Sequence, residues 1–537
     1  MGIEVVELIV LLLFGVTFLA VFSFRSHFPF PIALVLVGLI VSQIPGLPTL
    51  VLNPDIIFFI FLPPLLYEAA WKSSWHEFKA NIRPITMAAV GLVVFTTLCV
   101  GWVVHSMIPN ISWAEAFLLG AIVSPPDAVA ASSVTKGLGL NPRIISILEG
   151  ESLLNDASGL IVYRYALAAI LTGAFNFWDA GLQFFIVVIV GVACGLLVGY
   201  VLYLIHKYFV CESLVEVTLT LLTPFASYLL AEHFHASGVL AVVTTGLYLS
   251  YRSSEMFSTE SRIQANSVWE VVGFILNGLV FILLGLQLRV VMTDLDMVTT
   301  HGTLILMKYG LLVSLTVIVV RFIWVLPASI RPKFLFHKKD ERELLDRRNL
   351  IIIGWSGMRG VVSMAIALSI PLTIPSGELF PNRNLIIFLT FCVIMVTLVA
   401  QGLTLPWVIR KLKIPKYSLL AEEYEVRSQI ISEVMVHIEN NLQDIDHVVL
   451  NRIRNSYQNR FERLQHTELP RTEWASSDNR ALRVFNQFTQ VQLDVIEVER
   501  KVISQLHRKG TVSEEILRKI EAELDIEETR LQMEMVK

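Results

Sequence analysis

The sequence predicts an all-α polytopic membrane protein with about thirteen transmembrane helices, followed by a helical tail. Hydrophobic residues make up 54% of the 537 residues and charged residues 16%, whereas soluble domains carry about 25% charged residues. The charges are unevenly placed, because residues 415–537 hold 39 of them and residues 1–414 hold 49. We therefore expect a membrane domain at 1–414 and a tail domain at 415–537. The net charge of −4 excludes the strongly basic surface typical of a nucleic-acid partner.

Thirteen apolar ranges are candidates for helices that cross the bilayer. A hydrocarbon core of about 30 Å needs roughly 17–25 helical residues. The second and ninth ranges are short, as tilted or re-entrant segments are. The predicted ranges are 5–22, 30–45, 54–71, 84–107, 113–135, 148–173, 182–205, 214–231, 237–250, 267–288, 309–330, 350–372 and 385–409.

The basic residues between these ranges predict the orientation. Sixteen Lys and Arg residues follow odd-numbered ranges, and three follow even-numbered ranges. Because positively charged loops stay in the cytoplasm, the amino terminus is expected outside and the tail inside. We expect a multi-pass protein of the plasma (inner) membrane.

The tail carries helical patterns. Apolar residues recur at intervals of three or four over 420–453, and a second such pattern runs over 481–508. Gly510 is placed to end this second helix. Thr511 and Glu514 have the spacing of a capping box for a last helix. These helices are either a solvated charged surface or a specific regulatory element.

Charged residues inside apolar ranges mark candidate functional positions, because each costs about 2.5–3.5 kcal/mol on membrane-insertion scales. The third range contains Glu68 one turn beyond Pro63 and Pro64. Prolines inside a span free backbone carbonyls, which is tolerated where the helix lines a cavity or packs on a neighbour. Alternatively, Glu68 lies near the cytoplasmic end of its helix and is hydrated.

The fifth range contains Pro125 and Pro126, followed at once by Asp127. Two consecutive residues without an amide donor prevent a regular helix. A broken helix presents free carbonyls and two helix ends in the middle of the membrane, a recurring arrangement at transporter ion sites.

The sixth range has the highest density of polar groups. Glu149, Glu151 and Asp156 lie within eight residues, together with Ser152 and Asn155. Helical spacing stacks Ser152 over Asp156 and Glu151 over Asn155, on two adjacent stripes. A hydroxyl one turn from a carboxylate suits a cation that prefers oxygen ligands, and the acid on the other stripe requires a cationic partner of its own.

The twelfth range contains Arg359, flanked by Gly354, Gly357 and Gly360. Glycines allow backbones to approach closely, and a guanidinium at this depth must pair with a carboxylate or with carbonyls. We expect a structural ion pair with Glu151.

Five motifs together resemble the sodium/proton exchanger branch of the cation/proton antiporters, in order and spacing over about 5–411. They are FLPPLLYEAAW, SPPDAVAA, GESLLND, AEHFHASGVLAVV and GMRGVVSMA. The resemblance implies an inverted repeat in which spans 1–6 and 8–13 correspond and broken helices 5 and 12 cross. It also implies a homodimer with a mobile ion-carrying core, and an ion pair between Glu151 and Arg359.

The same resemblance implies the residues of an ion site. Asn155 and Asp156 match the Asn-Asp motif of the family, whose aspartate binds a cation or protons in alternation. Ser152 and Glu68 match positions that supply oxygen ligands in prokaryotic relatives.

The fifth range departs from the commonest family pattern, which has Thr or Ser before the aspartate and Pro after it. Pro126 and Ala128 occupy these positions here, so a hydroxyl ligand at 126 is absent although the carbonyl remains. Asp127 completes the predicted ion site. An Asn-Asp pair, rather than Asp-Asp, resembles the electroneutral members.

The expected function is secondary antiport of a monovalent cation against H⁺, for pH and Na⁺ homeostasis. Na⁺ is favoured, with Li⁺ and K⁺ as alternatives since all three prefer oxygen ligands. We expect membrane lipid as surroundings, no cofactor, no nucleic acid and no enzymatic activity. A gated cation channel that uses the same acids is the main alternative. An intramembrane hydrolase is more remote, because no GxGD or GxSxG motif accompanies the aspartates.

Overall fold

In the computed structural model, the regular secondary structure of the described residues is helical, apart from one isolated bridge between Thr373 and Leu379. The described residues are 3–26, 28–44, 57–135, 138–173, 177–209, 212–296, 303–329, 346–375, 377–414, 419–441, 447–465 and 479–535. Of the basic loop predicted between the eleventh and twelfth ranges, residues 331–345 lie outside them, whereas Arg347 and Arg348 are described.

The chain forms two compact units. The first comprises Met1–Met256 and Ala265–Lys416, and the second comprises Phe257–Gln264 and Tyr417–Lys537. The second unit therefore contains the predicted tail and, in addition, a short segment from the middle of the sequence.

Helices of the first unit follow one another along the chain, and each predicted apolar range overlaps a described helix or a run of helices. They are α1 (Ile3–Ser26), α2 (Phe30–Val41), α3 (Leu62–Lys72), α4 (Trp75–Ala80), α5 (Ile82–Thr86), α6 (Val93–Met107), α7 (Trp113–Val123), α8 (Ala128–Thr135), α9 (Pro142–Thr172), α10 (Phe177–Tyr208), α11 (Ser213–His233), α12 (Gly238–Met256), α13 (Thr259–Asp296, which begins in the second unit), α14 (Thr303–Val325), α15 (Arg347–Trp355), α16 (Val361–Leu368), α17 (Arg383–Met395) and α18 (Gly402–Lys411).

Six helical stretches among the described residues are long and apolar enough to span a bilayer. They are Ile82–Met107, Trp178–Tyr208, Ser213–His233, Thr259–Gln287, Leu304–Val325 and Arg383–Lys411. Helix α9, at 31 residues, is longer than most of these. It carries several charges, which gives it a more polar sequence than its neighbours.

Local signals in the sequence begin α7 and α9 where the structure has them. Ser112 accepts the backbone N–H of Glu115, and the Glu115 side chain accepts the backbone N–H of Ser112, which forms a capping box at the start of α7. Asn141 caps α9 and Pro142 is its first residue, a position where the missing N–H of proline has no cost. Gly159 of α9 packs so closely on Pro125 that a Cβ there would overlap the proline ring. These contacts place α9 beside the segment that joins α7 to α8.

The second unit contains four further helices with a shared apolar core: α19 (Leu419–Asn441), α20 (His447–Gln465), α21 (Asn479–Arg508) and α22 (Glu514–Met535). The pattern over 420–453 correctly predicted the buried positions Ile431, Val434, Ile438, Val449 and Ile453. Its members Leu442 and Ile445 lie outside the described residues.

The link between α21 and α22 confirms one predicted cap and corrects another. Gly510 has φ +71° and donates to the carbonyl of His507, while the Thr511 N–H donates to the carbonyl of Leu506. This is a Schellman motif, as the glycine predicted. The predicted capping box is wrong, because the Thr511 hydroxyl also donates to Leu506 O and the last helix begins only at Glu514.

Charged side chains in the second unit are shared among several partners. Arg262 donates from Nη2 to Asp525 Oδ1 at 2.5 Å and from Nε to Oδ2 at 3.2 Å. Arg500 donates to the same Asp525 Oδ1 and to Glu528, each at 2.6 Å. A buried aspartate thus has two cationic neighbours.

Candidate functional site

A cavity of about 210 Å³ lies among α3, α8, α9, α13 and α16, and four of the polar residues that line it are acidic. Glu68, Asp127, Ser152 and Asp156, all predicted as ion-binding residues, line it together with Glu149. The structure therefore brings four of the five predicted ion-binding residues to one space.

The segment Ser124–Asp127 separates α7 from α8 and is not helical. Asp127 Oδ1 accepts the backbone N–H of Val129 at 2.9 Å and that of Ala130 at 3.3 Å. The Asp127 N–H itself donates to the carbonyl of Met358 at 2.7 Å. The carboxylate thus satisfies amide groups at the start of α8, where the positive end of the helix dipole also stabilises it.

A second non-helical segment, 356–360, separates α15 from α16 and lies against the first. A Cβ on Gly360, directly before α16, would overlap the Asp127 carboxylate. Only glycine allows this approach without displacement. Asp127 therefore lies at the amino-terminal ends of two helices, α8 and α16.

Arg359 interacts with the carboxyl-terminal ends of the two preceding helices, α7 and α15. Its guanidinium is fully buried and donates to the carbonyls of Val123 at 2.9 Å and Ser124 at 3.2 Å, at the end of α7. It also donates to the carbonyl of Gly357, beyond the end of α15. Carbonyls at helix ends lack intrahelical partners, and a cation at the negative end of a helix dipole is stabilising.

The predicted pairing of Glu151 with Arg359 is replaced in the structure by a pair with Arg321. Both carboxylate oxygens accept from Arg321, at 2.5 and 2.9 Å, and each side chain is 1% exposed. Arg321 also donates to the carbonyl of Ile353. Glu151 needs a cation, as the sequence indicated, and α14 supplies it because the Arg359 guanidinium is held by carbonyls.

Asp156 differs from these groups because no described residue forms a hydrogen bond or an ion pair with its carboxylate. Its residue is 7% exposed and its side chain lines the cavity. A buried carboxylate without a partner is costly, so this position favours a proton or a cation as its ligand.

Asn155 is the predicted ion-binding residue that does not line the cavity. It is fully buried, and its Nδ2 donates to the carbonyl of Pro126 at 3.4 Å. The amide thus engages the carbonyl that the sequence left available for a cation. Asn155 supports the segment that carries Asp127.

Glu68 lies on α3 at another part of the cavity wall, where a Cβ on Gly273 of α13 would overlap its carboxylate. Its Oε1 accepts from Lys72 Nζ at 2.5 Å. Lys72 also lines the cavity, although the sequence assigned it only to a cytoplasmic loop.

Sequence reasoning missed Ser363 and Arg321, and it interpreted Asn277 as an interhelical hydrogen bond rather than as part of a site. Asn277 and Ser363 line the cavity, and the Ser363 hydroxyl has no partner among the described residues. Arg321 lies in the middle of the apolar eleventh range, so the same criterion that selected Arg359 could have found it. Arg164, for which the sequence identifies no partner, donates to Glu232 at 3.0 Å.

The model of the family described as sodium/hydrogen exchanger, transmembrane, matches residues 8–411. The chain belongs to this family. Its members are transporters rather than enzymes.

Curated relatives agree with this membership. The chain is similar to the "Sodium, potassium, lithium and rubidium/H(+) antiporter" of Bacillus pumilus, with 35% identity over 393 residues, 71% of this chain and 58% of that protein. It thus spans less than two thirds of the length of that relative. The uncharacterized Na⁺/H⁺ exchanger YjcE of Escherichia coli K12 is 30% identical over 528 residues, 94% of this chain and 95% of that protein.

The solved structure of the sodium proton antiporter MjNhaP1 from Methanocaldococcus jannaschii at pH 8 has a similar fold. The TM-score is 0.58 at 19% identity, and the match covers 76% of this chain and 98% of that chain. The family member described here is therefore an all-helical, polytopic membrane protein.

Proposed function

We propose that this protein is a secondary active antiporter that exchanges a monovalent cation, with Na⁺ favoured over Li⁺ and K⁺, for H⁺. The observation that carries the proposal is Asp156, a buried carboxylate at an acidic cavity that has no partner among the residues described by the structure. The relative named as a sodium, potassium, lithium and rubidium/H⁺ antiporter supports these substrates, and a relative named as a Na⁺/H⁺ antiporter supports Na⁺.

Asp156 binds the cation and the proton in alternation, because either one neutralises the same carboxylate. Oxygen groups of Ser152, Glu68 and Asp127 line the same space and suit a hard cation. A neutral site crosses the low-dielectric core at lower cost than a charged one, so the transporter changes its open side only when Asp156 is occupied. Net exchange follows the two gradients without ATP.

The exchange is electroneutral in this proposal. Asp156 is the only carboxylate of the Asn-Asp pair, since Asn155 carries no charge and is engaged with Pro126. Glu151 is neutralised by Arg321, and Asp127 is stabilised by amides of α8. One titrating carboxylate then exchanges one proton for one monovalent cation.

We also propose thirteen spans in an inverted repeat, in which α7–α8 and α15–α16 are the broken fifth and twelfth helices that cross. The hydrogen bond from Asp127 N to Met358 O, which joins their two non-helical segments, supports this assignment. The remaining proposals are a homodimer in the plasma membrane with the amino terminus outside, and a role in pH and Na⁺ homeostasis. The tail of residues 415–537 is the cytoplasmic domain.

The test is a fluorescence-dequenching assay of ΔpH-driven exchange in vesicles that contain the full-length protein. Na⁺, Li⁺ and K⁺ are added in turn, and valinomycin with K⁺ tests charge balance. We expect saturable, cation-dependent proton release that a clamped membrane potential does not change.

Uncoupled conductance would instead indicate a channel, which the family membership does not favour. Proton movement that the membrane potential accelerates would contradict the one-to-one stoichiometry and leave antiport itself standing.

A further inference from the structure

Lys72 forms an ion pair with Glu68, one of the proposed ligands of the cation. Its ammonium lies 2.5 Å from Glu68 Oε1, one turn away on the same helix. Among the described residues that line the cavity, Lys72 is the only basic one, and the acids Glu68, Asp127, Glu149 and Asp156 line the same cavity. An amino-acid cation therefore already lies where a substrate cation would be attracted.

The two members of the pair differ in their freedom to move. The Glu68 side chain is 12% exposed and packs against Gly273, whereas the Lys72 side chain is 47% exposed. Lysine carries its charge on a flexible four-carbon stem and is well hydrated in water. The pair can therefore open by movement of Lys72 alone, which leaves the Glu68 carboxylate in place.

Helix stabilisation alone is the simpler role for this pair. Glu and Lys four residues apart stabilise a helix by about 0.2–0.5 kcal/mol, and a cation in the last turn of α3 interacts favourably with the helix dipole. That role concerns only the stability of α3. It gives no reason for Lys72 to affect cation binding.

We propose that Lys72 is a tethered competitor of the substrate cation at Glu68 and so lowers the affinity of the cavity for that cation. The inference rests on the proposed function, since it assigns Lys72 a part in the selection and release of the cation. With Lys72 on Glu68, an entering cation meets one carboxylate fewer and one additional positive charge. With Lys72 in water, Glu68 completes the oxygen ligands.

The test uses Lys72→Gln, which keeps a polar side chain of moderate length and removes the charge, in the full-length protein. Binding is measured in detergent as the increase in Tm with NaCl, corrected for ionic strength with choline chloride, because a ligand of the folded state stabilises by mass action. Transport is measured as the Na⁺ concentration for half-maximal dequenching. We expect two concentrations to fall about threefold in Lys72→Gln: the NaCl concentration for the half-maximal increase in Tm, and the Na⁺ concentration for half-maximal dequenching. A threefold change corresponds to the free energy of one partly exposed ion pair.

Three variants serve as controls. Lys72→Arg keeps the charge and should retain the wild-type values. Lys79→Gln removes an exposed charge of α4, outside the cavity lining, and tests for a general surface-potential effect. In a Glu68→Gln background, Lys72→Gln should have no further effect on Na⁺ binding, because the competition requires the carboxylate.

Unchanged or weakened Na⁺ binding in Lys72→Gln overturns the inference, as does an equal change in Lys79→Gln. A wild-type protein that binds Na⁺ without exchanging it overturns the proposed function, while the binding data still decide the role of Lys72. A wild type that neither binds nor exchanges a cation overturns both.

Discussion

Glu151 and Asp156 lie five residues apart on α9 and face different surroundings. At about 100° per residue, they point about 140° apart around the helix. Glu151 meets Arg321 in a fully buried bidentate pair, whereas Asp156 meets a cavity and no described partner. The comparison shows that burial of an acid does not by itself indicate a binding site. The absence of a counter-charge does.

The largest expected effect is the loss of transport in the variant Asp156→Asn. The amide cannot exchange a proton for a cation, so cation-dependent dequenching should fall to the background of vesicles without the protein. Thermal stability should be equal or higher, because a buried charge without a partner disappears. Asp494→Asn, at an exposed position of α21, is the matched control. Wild-type exchange by Asp156→Asn would exclude the mechanism.

The opposite outcome is expected for Glu151→Gln, which leaves the Arg321 guanidinium buried without its carboxylate. Loss of one partner of a buried ion pair costs about 3–5 kcal/mol, so the yield and the Tm of the purified protein should fall strongly. The double variant Glu151→Gln/Arg321→Met removes both charges and should recover much of the loss. If Glu151→Gln keeps its stability but loses exchange, Glu151 belongs to the transport site.

A smaller loss of stability is expected for Arg359→Ala. This variant removes the charge itself and leaves carbonyls at the ends of α7 and α15 without their donor. Water that enters the vacated space can hydrogen-bond to these uncharged carbonyls, whereas Glu151→Gln leaves a buried charge without its counter-charge. The Tm should fall less than in Glu151→Gln. Normal folding with complete loss of exchange would contradict the structural role.

The smallest expected effect is on the pH dependence of stability and concerns Glu521 of α22. This acid of the second unit is largely buried and has cationic neighbours. Burial raises the pKa of Glu521, the neighbouring acids Glu514 and Asp525 raise it further, and Arg262 and Arg500 lower it. A raised pKa in the folded state gives stability that is present at low pH and is lost as the pH rises through that pKa.

Glu521→Gln cannot ionise, so its second unit should lose less stability than the wild type as the pH rises from acidic to neutral. Limited proteolysis of the tail in the full-length protein measures this difference. Equal pH dependence in the two proteins would show that Glu521 does not titrate in this range.

Much of this arrangement follows from the sequence because it depends on local chemistry. Apolar runs gave helices, and the missing amide donors of Pro125 and Pro126 coincide with the end of α7. Stripes on α9 correctly separated Ser152 and Asp156 from Glu151. Each of these inferences needs only neighbouring residues.

Pairings between distant helices did not follow, because they depend on which stripes face each other. Arg321 and Arg359 are equally unusual in apolar ranges, and only packing decides that the first pairs with Glu151. Asn155 was assigned to the ion site, yet its amide engages a carbonyl. Lys72 was counted in a loop, because nothing local shows that its helix end borders a cavity.

Hydrogen bonds at the broken helices join neighbouring helices to one another. Arg359 donates to a carbonyl of α7, and the Asp127 N–H donates to the carbonyl of Met358. Arg321 donates to both α9 and α15. On the other side of the cavity, Trp71 of α3 donates to Asn266 of α13. The helices on each side of the cavity are thus joined to one another. The exposed ion pair of Arg164 with Glu232 is of a kind that contributes about 0–1 kcal/mol, so it breaks easily. When the proposed transporter changes its open side, Asp156 would move with α14 and α15, to which α9 is bonded, and Glu68 with α13, to which α3 is bonded.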